Sequence, residues 1–195
     1  MGAKAEYFVH PSAICESADI GKGTRIWAFA HILKNAKIGN DCNVCDYCFI
    51  ENDVVIGSRV TIKNGISVWD GITIEDDVFL GPFCVLTNDL YPRSKAYTEN
   101  IRTLIKNGAS IGANATILCG ITLGKYCMVG AGAVVTKDVP DFALVAGNPA
   151  RFKYWISRTG EKLNFGNDNY AVDSKGNKYK LTRKTKNKPE QVVEL

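Results

Sequence analysis

From Ile14 to Leu86 an aliphatic residue returns at every sixth position: Ile14, Ile20, Ile26, Ile32, Ile38, Val44, Ile50, Ile56, Ile62, Val68, Ile74, Leu80 and Leu86. Four residues after most of them stands a second, smaller residue: Ala18, Thr24, Ala30, Ala36, Cys42, Cys48, Val54, Val60, Ile66, Ile72, Val78 and Cys84. A helix repeats at 3.6 residues and a half-buried strand at two, so a strict period of six fits neither. It is the signature of a parallel β-helix, in which each hexapeptide makes one short strand and one corner. The large aliphatic points to the axis and the small residue fills the space beside it. The fold class expected is therefore all-β: a parallel β-helix of hexapeptide repeats with about six coils.

Three hexapeptides close one triangular coil, so positions 18 apart stack at about 4.8 Å. Asn52, Asp70 and Asn88 then share one corner column, and Glu51, Trp69 and Thr87 the next. Solvated turn residues account for some of these; the rest are candidates for touching a ligand. After Leu86 the phase breaks and resumes at Ile105, Ile111, Ile117, Leu123, Val129 and Val135. The gap of 19 residues is one more than a coil. Residues 87–104 are polar and carry Tyr91-Pro92, so they must leave the column, and a long loop without its own core is usually functional.

The 195-residue chain reads as a leader over residues 1–13, a β-helix over 14–150 with the 87–104 insertion, and an extension over 151–195. Pro140, Gly147 and Pro149 mark departure from the coils. Residues 151–163 are expected to form a short helix. Alternating runs flank residues 173–177 as a hairpin, and the last dozen residues are polar and expected to be mobile. The extension carries 11 Lys and Arg against 5 Asp and Glu, the rest of the chain 13 against 15. A basic tail attracts phosphorylated molecules, or simply faces solvent; no nucleic-acid reader motif accompanies it. No run is long enough to span a membrane. The first eight residues lack the apolar stretch of a signal peptide, and Met1-Gly2 is not followed by the Ser or Thr of a myristoylation signal, since Glu6 stands there. These features point to the cytoplasm.

The seven cysteines are an odd number without an export signal, which argues for free thiols. Cys42-x2-Cys45-x2-Cys48 resembles a metal motif, but Cys42, Cys48, Cys84 and Cys127 occupy the small slot of the repeat, where cysteine serves as a small hydrophobe. Cys15, Cys45 and Cys119 fall elsewhere and are candidates for exposure. His10 and His31 are the two histidines, one too few for the three-histidine zinc site of gamma-type carbonic anhydrases. Gly130-Ala131-Gly132 is a weak match to a phosphate loop; glycine in a coil more often turns a corner.

Residues 10–151 resemble the hexapeptide-repeat acyltransferases, which implies a left-handed column and a homotrimer. Segments Arg25-Ile26-Trp27-Ala28-Phe29-Ala30-His31, Cys45-Asp46-Tyr47-Cys48-Phe49-Ile50-Glu51-Asn52, Thr87-Asn88-Asp89-Leu90-Tyr91-Pro92-Arg93-Ser94 and Gly147-Asn148-Pro149-Ala150-Arg151 resemble in particular the N-acetyltransferases of nucleotide-linked 3-amino sugars. The third looks most like enzymes for dTDP-3-amino-3,6-dideoxyhexoses. The resemblance implies transfer from acetyl-CoA to the sugar C3 amine, for bacterial surface glycans such as the lipopolysaccharide O-antigen, with sites between subunits. It places the nucleotide sugar beneath the insertion, with Trp69, Asn64, Arg25, His31 and Arg93 as candidate contacts, beside Glu51, Asn52 and Thr87 of the stacked corner and Tyr91 of the insertion. It places acetyl-CoA near the last coils, against Gly130, Ala131, Lys137, Asn148, Pro149 and Arg151. For His31 a structural role, and for Arg93 a loop contact, are equal alternatives.

Related enzymes that acetylate hydroxyls often carry a catalytic histidine in the equivalent loop. A hydroxyl needs a general base; an amine is nucleophilic when neutral. Here the loop offers Asn88 and Asp89 and no histidine, which favours N-acylation. Asn88 would orient the amine, and the amine proton would pass to the departing thiolate, to Asp70 or to Asp89. No metal is required by this chemistry. The alternatives are a UDP-3-amino-uronate acceptor, a sugar O-acetyltransferase and a non-catalytic scaffold.

Overall fold

Three ladders of two-residue parallel strands wind into a triangular column. A computed structural model of the chain describes residues 6–96, 99–183 and 190–195, and among these no helix occurs. The first face stacks Phe8–Val9, Arg25–Ile26, Asn43–Val44, Thr61–Ile62, Phe79–Leu80, Ser110–Ile111, Met128–Val129 and Ala143–Ala146. The second stacks Ile14–Cys15, His31–Ile32, Phe49–Ile50 and Ser67–Val68, then Val85–Leu86, Thr116–Ile117 and Val134–Val135. Its ladder is interrupted between Ser67–Val68 and Val85–Leu86, which belong to separate sheets. The third carries Lys37–Ile38, Val55–Ile56, Ile72–Ile74, Thr103–Ile105 and Thr122–Leu123. The first face has eight parallel rungs, against the six coils expected, because Phe8–Val9 and Ala143–Ala146 add a rung at each end.

In the two-residue rungs from Arg25–Ile26 onward the second residue points to the axis and the first outward, so Ile26, Val44, Ile62, Leu80, Ile111 and Val129 form one buried line. Cys42, Cys48, Cys84 and Cys127 fill the small slots as expected, and Cys119 is buried with them, contrary to its expected exposure. Cys15 and Cys45 are half-buried. Burial pushes the Cys48 thiol up to about 11 and those of Cys84 and Cys127 up to about 12. At pH 8 these thiols hold almost no thiolate, the reactive form. An aromatic disulfide reagent at that pH should therefore label at most Cys15 and Cys45 in the native protein and all seven thiols in guanidinium; a third rapidly labelled native thiol would contradict the packing.

The first coil departs from the strict period. Ile14 pairs with His31 and Cys15 with Ile32, a spacing of 17 where later rungs stand 18 apart, as Phe49 and Ser67 do. Cys15 thus takes the axial position, and Ile14 is 56% exposed. The neighbouring slot shifts in step: Ser17 replaces Ala18 inside, and its hydroxyl donates to the Ala36 carbonyl at 2.6 Å. Coils stack closely enough to dictate glycine at some corners. A Cβ on Gly39 would lie 2.6 Å from the Gly57 carbonyl carbon.

Above Leu86 the pairing jumps. Ile74 pairs with Ile105, 31 positions on, because the chain leaves the column after Val85–Leu86 on the second face and rejoins it at Thr103–Ile105 on the third. Leu86 and Ile105 stand on adjacent faces, where the usual step is six, so the insertion is larger than the one-residue excess read along a single column.

The expected helix over 151–163 is absent. Arg151–Trp155 is a strand antiparallel to Ala143–Ala146. That last rung would otherwise leave an open edge of unpaired backbone groups, and the aromatic-rich run from Arg151 to Trp155 suits a strand. The hairpin is present as Tyr170–Val172 against Lys178–Thr182. Gln191–Glu194 adds a third strand, so part of the segment expected to be mobile is ordered. Residues 184–189 of that segment, and residues 1–5 of the leader, lie outside the described residues. Tyr179 anchors this sheet: it is fully buried, its hydroxyl donates to Asp173 Oδ2 at 3.0 Å, and its ring packs on Phe142. Among the described residues no helix is long and apolar enough to cross a membrane.

Candidate active site

The corner between the second and third faces gathers Glu51, Asn52, Trp69, Asp70, Thr87 and Asn88. Each follows a rung of the second face, so the column stacks them. Much of their polarity holds the corner itself. Asp70 N–H donates to Glu51 Oε2 at 2.7 Å, and Asp53 N–H to Asp70 Oδ1 at 2.6 Å. Asn52 Oδ1 accepts from Asn35 N–H at 3.2 Å, and Thr87 Oγ1 from Cys119 N–H at 2.9 Å. Corner amides have no strand partner, and these side chains supply one.

Asn88 stands at the root of the insertion. Its Nδ2 donates to the Asp70 backbone carbonyl at 3.3 Å and to Asn100 Oδ1 at 3.1 Å. A backbone carbonyl only accepts, so the nitrogen must face Asp70. Both amide hydrogens are then committed to protein, and the oxygen is the end offered to a ligand. This bond spans the level at which the second-face ladder is interrupted. The two limbs of the insertion close there, with Ile101 N–H donating to the Asn88 carbonyl at 2.9 Å. Beyond the root, Asp89 Oδ1 accepts from Tyr91 N–H, and Arg93 donates to the Pro92 carbonyl. Tyr91 and Arg93 are exposed.

Trp69 is half-buried, with its ring edge-on to Phe49, which in turn meets His31. His31 Nε2 lies 3.0 Å from Glu16 Oε1. His31 and Phe49 stand on successive rungs of the second face, and beyond its other corner Arg25 and Asn64 line a shallow cleft with Trp27, Asn43, Cys45 and Asp46. Trp27 Nε1 donates to Asn43 Oδ1 at 2.8 Å. Of the residues named for the sugar nucleotide, Glu51, Asn52, Trp69 and Thr87 thus stand on one corner of the second face and Asn64 on the other, His31 and Arg25 stand on rungs of the second and first faces, and Tyr91 and Arg93 on the insertion.

The residues named for acetyl-CoA divide in the same way. Lys137 and Arg151 line a cleft of about 370 Å³ with Val135, Pro140 and Phe152. Asn148 and Pro149 are exposed above the rung Val134–Val135, whose Val134 N–H donates to the Gly147 carbonyl. Gly130 and Ala131 lie at the other end of that rung, where Gly132, with φ of +67°, turns an ordinary corner. Among the described residues no group of three or more His, Cys, Asp or Glu is placed to hold a metal. Sequence reasoning missed Phe49, Asn43, Asp46 and Asn100. The first two occupy outward slots where the repeat tolerates many residues, Asp46 is an ordinary corner residue, and Asn100 lies where the repeat is silent.

The family model described as bacterial transferase hexapeptide (six repeats) matches residues 17–52 and 102–137, and that described as hexapeptide repeat of succinyl-transferase matches 48–81. Over 174 residues, 89% of this chain and 90% of the relative, the sequence is 59% identical to a dTDP-3-amino-3,6-dideoxy-alpha-D-galactopyranose 3-N-acetyltransferase of Aneurinibacillus thermoaerophilus. A hexapeptide-repeat containing acetyltransferase from Vibrio cholerae, solved with acetyl coenzyme A, is 32% identical, with a TM-score of 0.50 over 56% of this chain and 65% of that one. An N-acyltransferase from Bacillus cereus, solved with dTDP and coenzyme A, shares the fold at 17% identity, with a TM-score of 0.56 over 78% of this chain and 84% of that one.

Proposed function

The chain belongs to the hexapeptide-repeat acyltransferases, and we propose that it transfers the acetyl group of acetyl-CoA to the C3 amine of a dTDP-3-amino-3,6-dideoxyhexose of galacto configuration. The observation that carries this reading is the 59% identity over 89% of the chain to an enzyme of that activity. The insertion agrees: its root offers an asparagine and no histidine.

The amine attacks the thioester carbonyl as a neutral nucleophile. Asn88 Oδ1 accepts one amine N–H and so turns the nitrogen lone pair toward the carbonyl carbon. A C–N bond forms and the carbonyl becomes a tetrahedral oxyanion, which a corner N–H stabilises. The oxyanion collapses, the C–S bond breaks, and the ammonium proton passes to the departing CoA thiolate. Glu51 and Asp70 serve as caps for corner amides in this scheme, and the thiolate, a base formed in the same step, takes the proton.

Three copies assemble around this chemistry. The ligand-facing residues of one chain lie on its second face, on both corners of that face and on the neighbouring rung at Arg25, and a groove between two protomers unites them. Phe29, Tyr47 and Phe83 support such packing. All three are more than half exposed, although they hold φ near +59°, +59° and +57°, a conformation bulky side chains rarely adopt. Phe29 and Tyr47 stack at 5.1 Å, and covering such a ladder buries apolar surface. Acetyl-CoA runs up the groove to Lys137 and Arg151, which face its phosphates, with Gly130, Ala131, Asn148 and Pro149 along its arm. The product serves surface-glycan synthesis, and the cytoplasm supplies both substrates.

Release of free thiol from acetyl-CoA tests the reading. The acceptors are dTDP-3-amino-3,6-dideoxygalactose, its gluco epimer, a UDP-3-amino-uronate and a hydroxyl analogue. Fastest turnover is expected with the dTDP-galacto amine. Turnover confined to the uronate would overturn the nucleotide, and turnover confined to the hydroxyl acceptor would overturn N-acylation.

A further inference from the structure

We infer that Asn100 is a positioning residue for acetyl transfer: its side chain fixes the Asn88 carboxamide with the oxygen turned toward the amine. This rests on the role proposed for Asn88. A terminal amide rotates within a broad well, so one hydrogen bond, to the Asp70 carbonyl, leaves the plane of Asn88 loosely set. The second, to Asn100 Oδ1 at 3.1 Å, defines it.

The limb that carries Asn100 is held independently of that side chain. Ile101 N–H donates to the Asn88 carbonyl, and Thr103 N–H donates to the Gly71 carbonyl at 3.2 Å. Arg102 Nη2 reaches Asp53 Oδ2 at 3.0 Å. Gly120 gives Ile101 its seat, since a Cβ there would lie 2.8 Å from Ile101 Cγ2. Gly71, at φ of +87°, passes beside Asn100 Cβ. The backbone thus places Asn100 with the Asn88 amide as the hydrogen-bond partner of its side chain. Holding the limb and orienting the carboxamide are separable tasks, and the side chain performs the second.

The experiment is a double-mutant cycle on the full-length enzyme with acetyl-CoA and the best amine acceptor. Asn100→Leu keeps the side-chain volume and removes the acceptor; it should lower kcat roughly tenfold or more. The KM for acetyl-CoA and the thermal midpoint should stay near wild type. Asn100→Asp still accepts from Asn88 Nδ2 and should restore most of kcat. In an Asn88→Ala background, Asn100→Leu should cost nothing further, because its effect passes through Asn88. An additive loss in that background, or an unchanged kcat for Asn100→Leu alone, would overturn the role of Asn100. If Asn88→Ala itself leaves kcat unchanged, the roles of both residues are overturned, whereas an impaired Asn88→Ala enzyme with additive Asn100→Leu loss overturns that of Asn100 alone.

Discussion

Replacing Asn88 with Ala should lower kcat/KM for the amine acceptor by roughly 100-fold, the scale on which loss of one orienting contact acts. The KM for acetyl-CoA should change little, because Lys137, Arg151 and the cleft they line stand at the end of the column. The fold should survive. Ile101 N–H bonds to the backbone carbonyl of residue 88, which alanine retains, so the limbs of the insertion stay closed. The Asp70 carbonyl and Asn100 Oδ1 lose a donor, but both groups lie at a corner within reach of water. Steady-state rates at varied acceptor, beside a thermal melt, make the check. A variant that keeps its kcat/KM would show that the carboxamide oxygen orients nothing, and the amine would need another anchor on this corner.

The largest loss of stability should come from Ile62→Ala. Ile62 is completely buried and stands between Val44 below and Leu80 above in the first-face ladder. The rungs are fixed by backbone hydrogen bonds, so they cannot close over the space left behind. Large-to-small changes at such sites cost about 2–5 kcal/mol, and with little room to relax the upper half of that range applies. For a chain of this length that is about 10 °C in the melting midpoint. Calorimetry at one fixed protein concentration measures it. Lys37→Ala, on an outward position of the third face, should shift the midpoint by less than about 2 °C. Equal shifts for the two variants would mean that the axial line does not carry the fold.

What could be read from the letters followed the period. Ile26 through Leu86 face the axis because the backbone repeats, and Cys42 and Cys48 declared themselves packing residues by sharing the slot of Ala30 and Val54. The reading failed where the period failed. The one-residue deletion in the first coil turned Ile14 outward while Ile20 remained in phase, so the slip left no gap in the aliphatic series. Arg151–Trp155 looked helical because its sequence says nothing of the open edge left by Ala143–Ala146. At the site, stacking by 18 placed Asp70 and Asn88 together. It could not say that Glu51 and Asp70 are engaged by backbone amides, nor that a residue 12 positions beyond Asn88 would return to grip it.

The clasp between Asn88 and the limb at Asn100 and Ile101 separates two histories within one chain. Below it, each rung answers to the rung beneath and the rung above, and even the one-residue slip of the first coil had to be matched by moving Cys15 and Ser17 into the inward positions. Above it, the tip beginning at Asp89 is tethered at both ends, and its described residues add no rung to the column. Lengthening such a tether costs only about 0.6 kcal/mol for each doubling of its length. Acceptor preference can therefore drift by changes in the tip while the column is inherited unaltered, and relatives of this chain with different amino sugars should diverge first between Asp89 and Glu99.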